Sequence, residues 1–237
     1  MLRDRRSDLS LYFVRLLREF GPQGWWPAMT RLEVILGAIL TQNTAWRNAA
    51  LAIAQLRRAN LLNVGGLREI EESRLRTLVR PAGFFCQKAR AIRGFVGWLD
   101  EAHGGSLRRM FATPAETLRE ELLELKGLGP ETVDAILLYA GDKPFFVADA
   151  YTRRILARHG MLAQDATYAE AQDFIHHRLR RDSKVYNEFH ALMVEVGKRY
   201  CGRNQARCEE CPLRSFLTGN HRQASRHTTR LPSPLGC

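Results

Sequence analysis

The stretch that decides the fold is Leu125-Lys126-Gly127-Leu128-Gly129-Pro130-Glu131-Thr132-Val133. Two glycines around one apolar residue allow a tight turn that a Cβ would obstruct, and a proline suits the start of the next helix. Leu128 can plug between the two helices, while the amides of Gly127 and Gly129 face outward at a helix N-terminus. Such amides suit a phosphate, with a bound monovalent cation assisting. The stretch predicts a helix-hairpin-helix, and an ordinary helix–helix connection is the alternative.

The chain on both sides of this turn is predicted to be helical. Strand patterns are almost absent, and apolar residues recur at helical spacing, as at Leu9, Tyr12 and Leu16. Glycine- and proline-rich punctuation divides the chain into about ten short helices. One start is marked by Thr113-Pro114-Ala115-Glu116, which predicts a capping box and a helix over residues 115–124. Residues 214–237 are predicted to be a flexible basic tail.

The charge balance indicates a polyanionic partner. The chain has 36 Lys and Arg against 25 Asp and Glu, a net charge of +11, which favours nucleic acid although many soluble proteins are basic. No run of apolar residues is long enough to cross a membrane, and no apolar signal core follows the N-terminus. We expect no membrane partner and a cytoplasmic location, on the nucleoid if the source is bacterial.

A carboxylate follows the hairpin. The apolar run Phe145-Phe146-Val147-Ala148 ends in Asp149, twenty residues after Gly129, where the side chain could cap a new helix. This pairing resembles the helix-hairpin-helix (HhH-GPD) DNA glycosylase superfamily, which includes endonuclease III. Residues 40–44 and 79–89 are similar to further motifs of that family, so the resemblance covers about residues 25–211.

The resemblance implies an all-α, two-lobed fold with a cleft between the lobes. One six-helix lobe would span residues 28–140 and end in the hairpin, and the other would combine residues 1–27 and 141–213. It also implies a monomeric base-excision-repair glycosylase that acts on double-stranded DNA containing damaged bases. Asp149 would be catalytic, because a carboxylate beside the sugar stabilises the positive charge that develops when the N-glycosidic bond breaks.

One departure from endonuclease III bears on strand cleavage. The lysine that forms a Schiff base there is replaced by Glu131, which cannot form an imine, so we expect AP lyase activity to be weak or absent. Lys126 is interpreted as a phosphate contact. The alternatives are a lyase that uses another amine on oxidised pyrimidines, a thymine or uracil mismatch glycosylase, and a non-catalytic DNA-binding module.

The absence of an obvious general acid points to the substrate. Where the adenine-mismatch branch has a glutamate, this chain has Gly37, and Glu33 one turn earlier is a weak substitute. Alkylated purines such as 3-methyladenine already carry a positive charge and leave without a proton. The chain is most similar to the 3-methyladenine glycosylase branch, which also has glutamate at the lyase-lysine position.

That branch supplies candidates for contacts with the flipped base and the DNA backbone. Indole faces attract a cationic purine, although large aromatics are more often core residues. The candidates for stacking are Trp25, Trp26 and Trp46, the candidate wedge into the duplex is Gln42, and Lys88 is a further candidate phosphate contact.

Three cysteines have the spacing of metal ligands. Cys201, Cys208 and Cys211 match the first three ligands of the family's [4Fe–4S] loop, but the fourth position is Leu217. Three interpretations remain open: a cluster with an unusual fourth ligand, a relic loop without metal, and a zinc site. The candidate fourth ligands are Cys237 for the cluster and His221 or His227 for zinc.

Overall fold

The computed structural model describes residues 8–26 and 28–217. Over these residues the chain is helical, with no strand beyond one isolated bridge between Cys201 and Ala206. The prediction of an all-α fold is confirmed. In this part of the chain no helix is both long and apolar enough to cross a membrane. The helices are α1 Leu9–Phe20, α2 Arg31–Leu40, α3 Trp46–Arg58, α4 Val64–Glu69, α5 Glu72–Val79, α6 Phe85–His103, α7 Leu107–Ala112, α8 Ala115–Leu123, α9 Pro130–Gly141, α10 Ala150–Arg158, α11 Tyr168–His176 and α12 Ser183–Arg199.

The described chain divides into two compact units. The first contains residues 8–25 and 144–217, and the second contains residue 26 and residues 28–143. The second unit holds the eight helices α2–α9 rather than the expected six. Two of these helices, α4 and α7, are only six residues long.

The second unit is built around α2 and α9, which pack against each other. Every residue from Leu32 to Leu40 is buried, and so is most of α9. A helix that is apolar on all sides belongs in the middle of a core, with the more polar helices around it. This arrangement holds the end of α2 and the start of α9 in fixed positions, and both carry candidate site residues.

The first unit is centred on α12, against which α1 and α10 pack. Its core is rich in aromatic residues that fill space between the helices. The prediction that a flexible tail includes residues 214–216 is wrong, because this segment forms a 3₁₀ turn and the ring of Phe216 lies 4.5 Å from that of Tyr12. Residues 218–237 of the predicted tail lie outside the described residues.

The predicted capping box at residues 113–116 is wrong. Thr113 is the C-cap of α7, and Pro114 occupies the N-cap position of α8 without a side-chain bond. The amide of Thr113 donates to the carbonyl oxygen of Met110 at 3.2 Å, so its backbone belongs to the preceding turn. A capping box is present instead at Thr167 and Glu170, where α11 begins.

Candidate active site

The hairpin forms as the sequence predicts. Leu128 is 5% exposed while the two glycines beside it are exposed, which confirms the apolar plug. Gly127 has a φ of +94°, and a Cβ there would stand 3.1 Å from Cβ of Ala91. Glycine is therefore required by both backbone conformation and close packing. Gly129 is the N-cap of α9, and Lys126 is exposed beside the turn.

Gln42 connects the end of α2 to this hairpin. Its side-chain amide donates to the carbonyl oxygen of Gly127 at 2.9 Å and to the hydroxyl of Thr132 at 2.8 Å. Asn43, the next residue, is exposed with a φ of +50°. Insertion of Gln42 into a duplex would exchange both hydrogen bonds for contacts with DNA. Its role as a wedge remains a prediction.

Lys88 is not a phosphate contact, and that prediction was wrong. Its side chain is 2% exposed, and Nζ donates to the carbonyl oxygens of Leu40 at 2.9 Å and Ala82 at 2.7 Å. Burial lowers the pKa of Lys88 to about 8. The ammonium satisfies backbone carbonyls at helix ends that have no partner within their own helices. Lys88 is therefore a structural residue of the second unit.

An aromatic cluster lies over α2 in the second unit. The ring of Trp26 is 5.2 Å from that of Trp46, nearly perpendicular to it, and 5.2 Å from that of Tyr139. Trp46 is 39% exposed, and the other two rings are partly exposed. A Cβ on Gly37 would stand only 3.1 Å from Cζ2 of Trp26. The indole thus fills the space that a side chain at position 37 would need.

Glu33 is buried and paired within the second unit. Its carboxylate is buried, accepts a hydrogen bond from the amide of Met29 at 3.0 Å and forms an ion pair with Arg57. Both oxygens of this carboxylate are therefore occupied by partners within the second unit.

Asp149 caps α10, as its position before Ala150 predicts. Its Oδ1 accepts the amide of Thr152 at 2.8 Å, and its Oδ2 lies 3.5 Å from Nε2 of His190. Burial raises the pKa of Asp149, but the hydrogen bonds and charge from His190 and Thr152 outweigh it, so the pKa lies below its usual value. The structure therefore holds a buried carboxylate that is ionised at neutral pH.

Trp25 lies in the same unit as Asp149. Its ring is 5.8 Å from that of His190, and Nζ of Lys198 is 5.6 Å from its centroid. Trp25 is half-buried. The two adjacent tryptophans of the sequence thus belong to different units, each with its own set of contacts.

The three cysteines at 201, 208 and 211 are free thiols that line one small pocket together with Leu217. Arg158 donates to Sγ of Cys201 at 3.1 Å. Within residues 8–26 and 28–217, no three Cys, His, Asp or Glu side chains are arranged to hold a metal ion. The described residues do not fit a four-thiolate cluster. The candidate fourth ligands Cys237, His221 and His227 lie outside the described residues.

Three residues near these groups were not predicted from the sequence. His190 contacts Asp149, Tyr139 packs against Trp26, and Thr132 accepts a hydrogen bond from Gln42. The available signal was a polar residue in an apolar helical stretch, as His190 is within α12. Such a residue is more often a satisfied core residue, so its partner could not be predicted from sequence alone.

The sequence is similar to known DNA repair proteins over most of its length. Residues 36–181 match the family model for the HhH-GPD superfamily base excision DNA repair protein. A candidate DNA repair glycosylase of Methanocaldococcus jannaschii is 43% identical over 203 residues, which cover 85% of this chain and 91% of that protein.

Solved structures agree with this assignment. A 3-methyladenine DNA glycosylase of H. pylori, bound to 1,N6-ethenoadenine, superposes with a TM-score of 0.69 at 28% identity and covers 82% of this chain and 97% of its own. A trapped endonuclease III–DNA covalent intermediate superposes with a TM-score of 0.76 at 18% identity, covering 91% and 96%, and shows the shared fold. The expected family is confirmed. The chain belongs to the HhH-GPD superfamily of base excision DNA repair proteins and is a DNA repair glycosylase of that group.

Proposed function

We propose that the protein is a monofunctional glycosylase that removes alkylated purines such as 3-methyladenine from double-stranded DNA. The observation that carries the proposal is the buried, ionised carboxylate of Asp149, fixed at the start of α10. The activity named for the H. pylori structure, at 28% identity over most of its chain, supports the same substrate class.

The proposed reaction needs little beyond this carboxylate. The C1′–N bond breaks, its electron pair leaves with the base, and positive charge grows on the sugar. An anion beside the sugar lowers the energy of that state, and removal of such a group costs about 10²- to 10³-fold in rate. Water then adds to C1′ and loses a proton to the carboxylate or to solvent. A cationic purine departs as a neutral molecule.

The surroundings of α2 support a base that needs no proton donor. Gly37 has no side chain to donate a proton, its neighbouring space is filled by Trp26, and Glu33 is paired with Arg57. Partly exposed indole faces attract a cationic purine by about 1–2 kcal/mol when water is excluded. Trp25, Trp26 and Trp46 remain the proposed stacking residues.

The expected lack of lyase chemistry is part of the proposal. Position 131 carries a carboxylate on the exposed first turn of α9, and a carboxylate cannot attack the sugar to form an imine. Lys88 has a lowered pKa, but its amine is bonded inside the second unit. We therefore expect release of the base without cleavage of the strand.

Phosphate contact is assigned to the hairpin. Exposed glycine amides at the start of α9, the nearby ammonium of Lys126 and a bound monovalent cation would together hold a phosphate. The net charge of +11 favours any polyanion, and the endonuclease III structures were solved with DNA. We expect the loop around Cys201 to Cys211 to have a structural role and to take no part in the reaction at the base.

Base release from defined duplexes tests the proposal. Duplexes with 3-methyladenine, 7-methylguanine, uracil, an oxidised pyrimidine or adenine opposite 8-oxoguanine are incubated with wild type and Asp149→Asn, then scored before and after alkali. We expect breaks at alkylated purines only after alkali, and a loss of about 10²- to 10³-fold in the variant. Asparagine is as good an N-cap as aspartate, so the variant should fold.

Asp142→Asn is the matched control. Asp142 has an exposed side chain and a φ of +52°, a conformation that asparagine tolerates. We expect it to match wild type. Breaks without alkali, or preferred release of uracil or an oxidised pyrimidine, would replace the proposal with one of the other glycosylase classes.

A further inference from the structure

His190 contacts both Asp149, the candidate catalytic carboxylate, and Trp25, a candidate stacking residue. It lies in the middle of α12 and is 5% exposed. Its Nε2 is 3.5 Å from Oδ2 of Asp149, and its ring is 5.8 Å from that of Trp25 and 5.9 Å from that of Phe146, perpendicular to the latter. One imidazole thus touches three residues of the first unit.

The two oxygens of Asp149 are held in different ways. Oδ1 is bound by the first turn of α10, through the amide of Thr152. That bond fixes the position of the carboxylate but leaves rotation of Oδ2 to be set by its other neighbour, His190 on α12. A buried carboxylate stays ionised only when polar partners replace the water it has lost.

The aromatic contacts fix the imidazole itself. Phe146 precedes Asp149 by three residues and meets the ring edge-on, while Trp25 meets it from the segment after α1. A buried ring in contact with two other rings has few rotamers open to it, so its Nε2 keeps a constant direction. Lys198, also on α12, has its Nζ 5.6 Å from the centroid of the Trp25 ring.

We propose that His190 is a positioning residue, which donates from Nε2 to Oδ2 of Asp149, keeps that carboxylate ionised and oriented, and holds Trp25 in place. It acts through these two residues and does not touch the base. This inference rests on the proposed function, in which Asp149 stabilises the cationic sugar. It assigns a role to a residue that was not predicted from the sequence.

Two substitutions distinguish the loss of the Nε2–H donor of His190 from the loss of its ring contacts. His190→Phe keeps a ring against Trp25 and Phe146 but removes the N–H, whereas His190→Gln can place an amide N–H near the position of Nε2. Base release is measured under single-turnover conditions from pH 5 to 9. We expect His190→Phe to be slower by about 10- to 100-fold, the order expected when a buried charged group loses one hydrogen bond.

The pH profile distinguishes positioning from mere packing. In the part of the chain that the structure describes, His190 from α12 and Thr152 from α10 contact the carboxylate of Asp149. Without the imidazole, the pKa of Asp149 rises, so the acid limb of the His190→Phe profile should move up by about one pH unit. His190→Gln should recover most of the rate and move the limb back. If wild type, His190→Phe and His190→Gln have equal rates and the same acid limb in the pH profile, the proposal is overturned.

A measurement that does not depend on activity keeps this inference separate from the proposed function. The carboxyl carbon of Asp149 is followed by NMR in a ¹³C-labelled protein, and its signal is identified by its loss in Asp149→Asn. We expect a higher pKa in His190→Phe than in wild type, with His190→Gln between them. If wild type releases no base from any duplex, the proposed function fails, while an unchanged Asp149 titration would reject the role of His190.

Discussion

Gly37 and Trp26 are packed so closely that an added Cβ on the glycine would stand 3.1 Å from Cζ2 and 3.2 Å from Nε1 of the indole. The glycine lies in the middle of α2, which is buried over most of its length. Its place in the helix interior is explained by this contact, since glycine there is otherwise unfavourable relative to alanine.

Substitution at position 37 should therefore displace Trp26. We expect Gly37→Glu to be destabilised by about 1–3 kcal/mol, the usual cost of overpacking, and to lose activity on alkylated purines. Urea unfolding and base-release assays measure the two effects. Gly94→Ala is the control, because Gly94 is exposed on α6 with nothing near its added Cβ, and it should gain roughly 0.5–1 kcal/mol.

Lys88 and Lys126 should behave in opposite ways when each is changed to methionine. Lys88→Met leaves two buried carbonyl groups without a donor, and we expect a loss of about 2 kcal/mol in the free energy of unfolding. Its DNA affinity should stay unchanged. Lys126→Met should keep its stability, weaken DNA binding and lower the salt-dependence slope by about 0.9. Equal losses of affinity in both variants would contradict this assignment.

The lowered pKa of Lys88 also predicts a pH dependence of stability. Burial brings this pKa to about 8 in the folded protein, while an unfolded lysine titrates near 10.4. Between these values the unfolded state binds more protons, so stability should rise with pH, by up to about 1.4 kcal/mol per pH unit. Urea unfolding at pH 7.5 and 9 should show this rise in wild type and not in Lys88→Met.

The sequence was sufficient for features that depend on local chemistry. The hairpin follows from Gly127, whose φ of +94° few other residues adopt, and Asp149 as an N-cap follows from its place before Ala150. Both depend on a few neighbouring residues.

Features that depend on which helices meet could not be predicted. Lys88 was interpreted as a surface lysine, but its partners at Leu40 and Ala82 come from the ends of two other elements. His190 was overlooked because only the packing of α12 against α10 brings it to Asp149. A sequence shows that a residue is polar, whereas its role is decided by partners that are distant along the chain.

The pair Arg119 and Asp134 should hold the two hairpin helices together. Nε and Nη2 of Arg119 on α8 donate to the two carboxylate oxygens of Asp134 on α9 at 2.6 and 3.1 Å, and the aspartate side chain is fully buried. Asp134→Asn breaks this bidentate pair and should cost about 3 kcal/mol in unfolding free energy. The control is Glu72→Gln in the partly exposed i,i+4 pair with Arg76, which should cost less than about 0.5 kcal/mol.

Glu131 provides a test of why strand cleavage should be absent. Its side chain is exposed on the first turn of α9, two residues after Gly129. Borohydride trapping should give no covalent adduct between wild type and DNA, because a carboxylate forms no imine for borohydride to reduce. Glu131→Lys places an amine at this position, and we expect a trapped adduct and strand breaks without alkali. Glu131→Gln removes the same negative charge without adding an amine, so it should bind DNA more tightly and still form no adduct. A strong adduct in wild type would show that another amine performs the reaction, and the enzyme would then be a lyase.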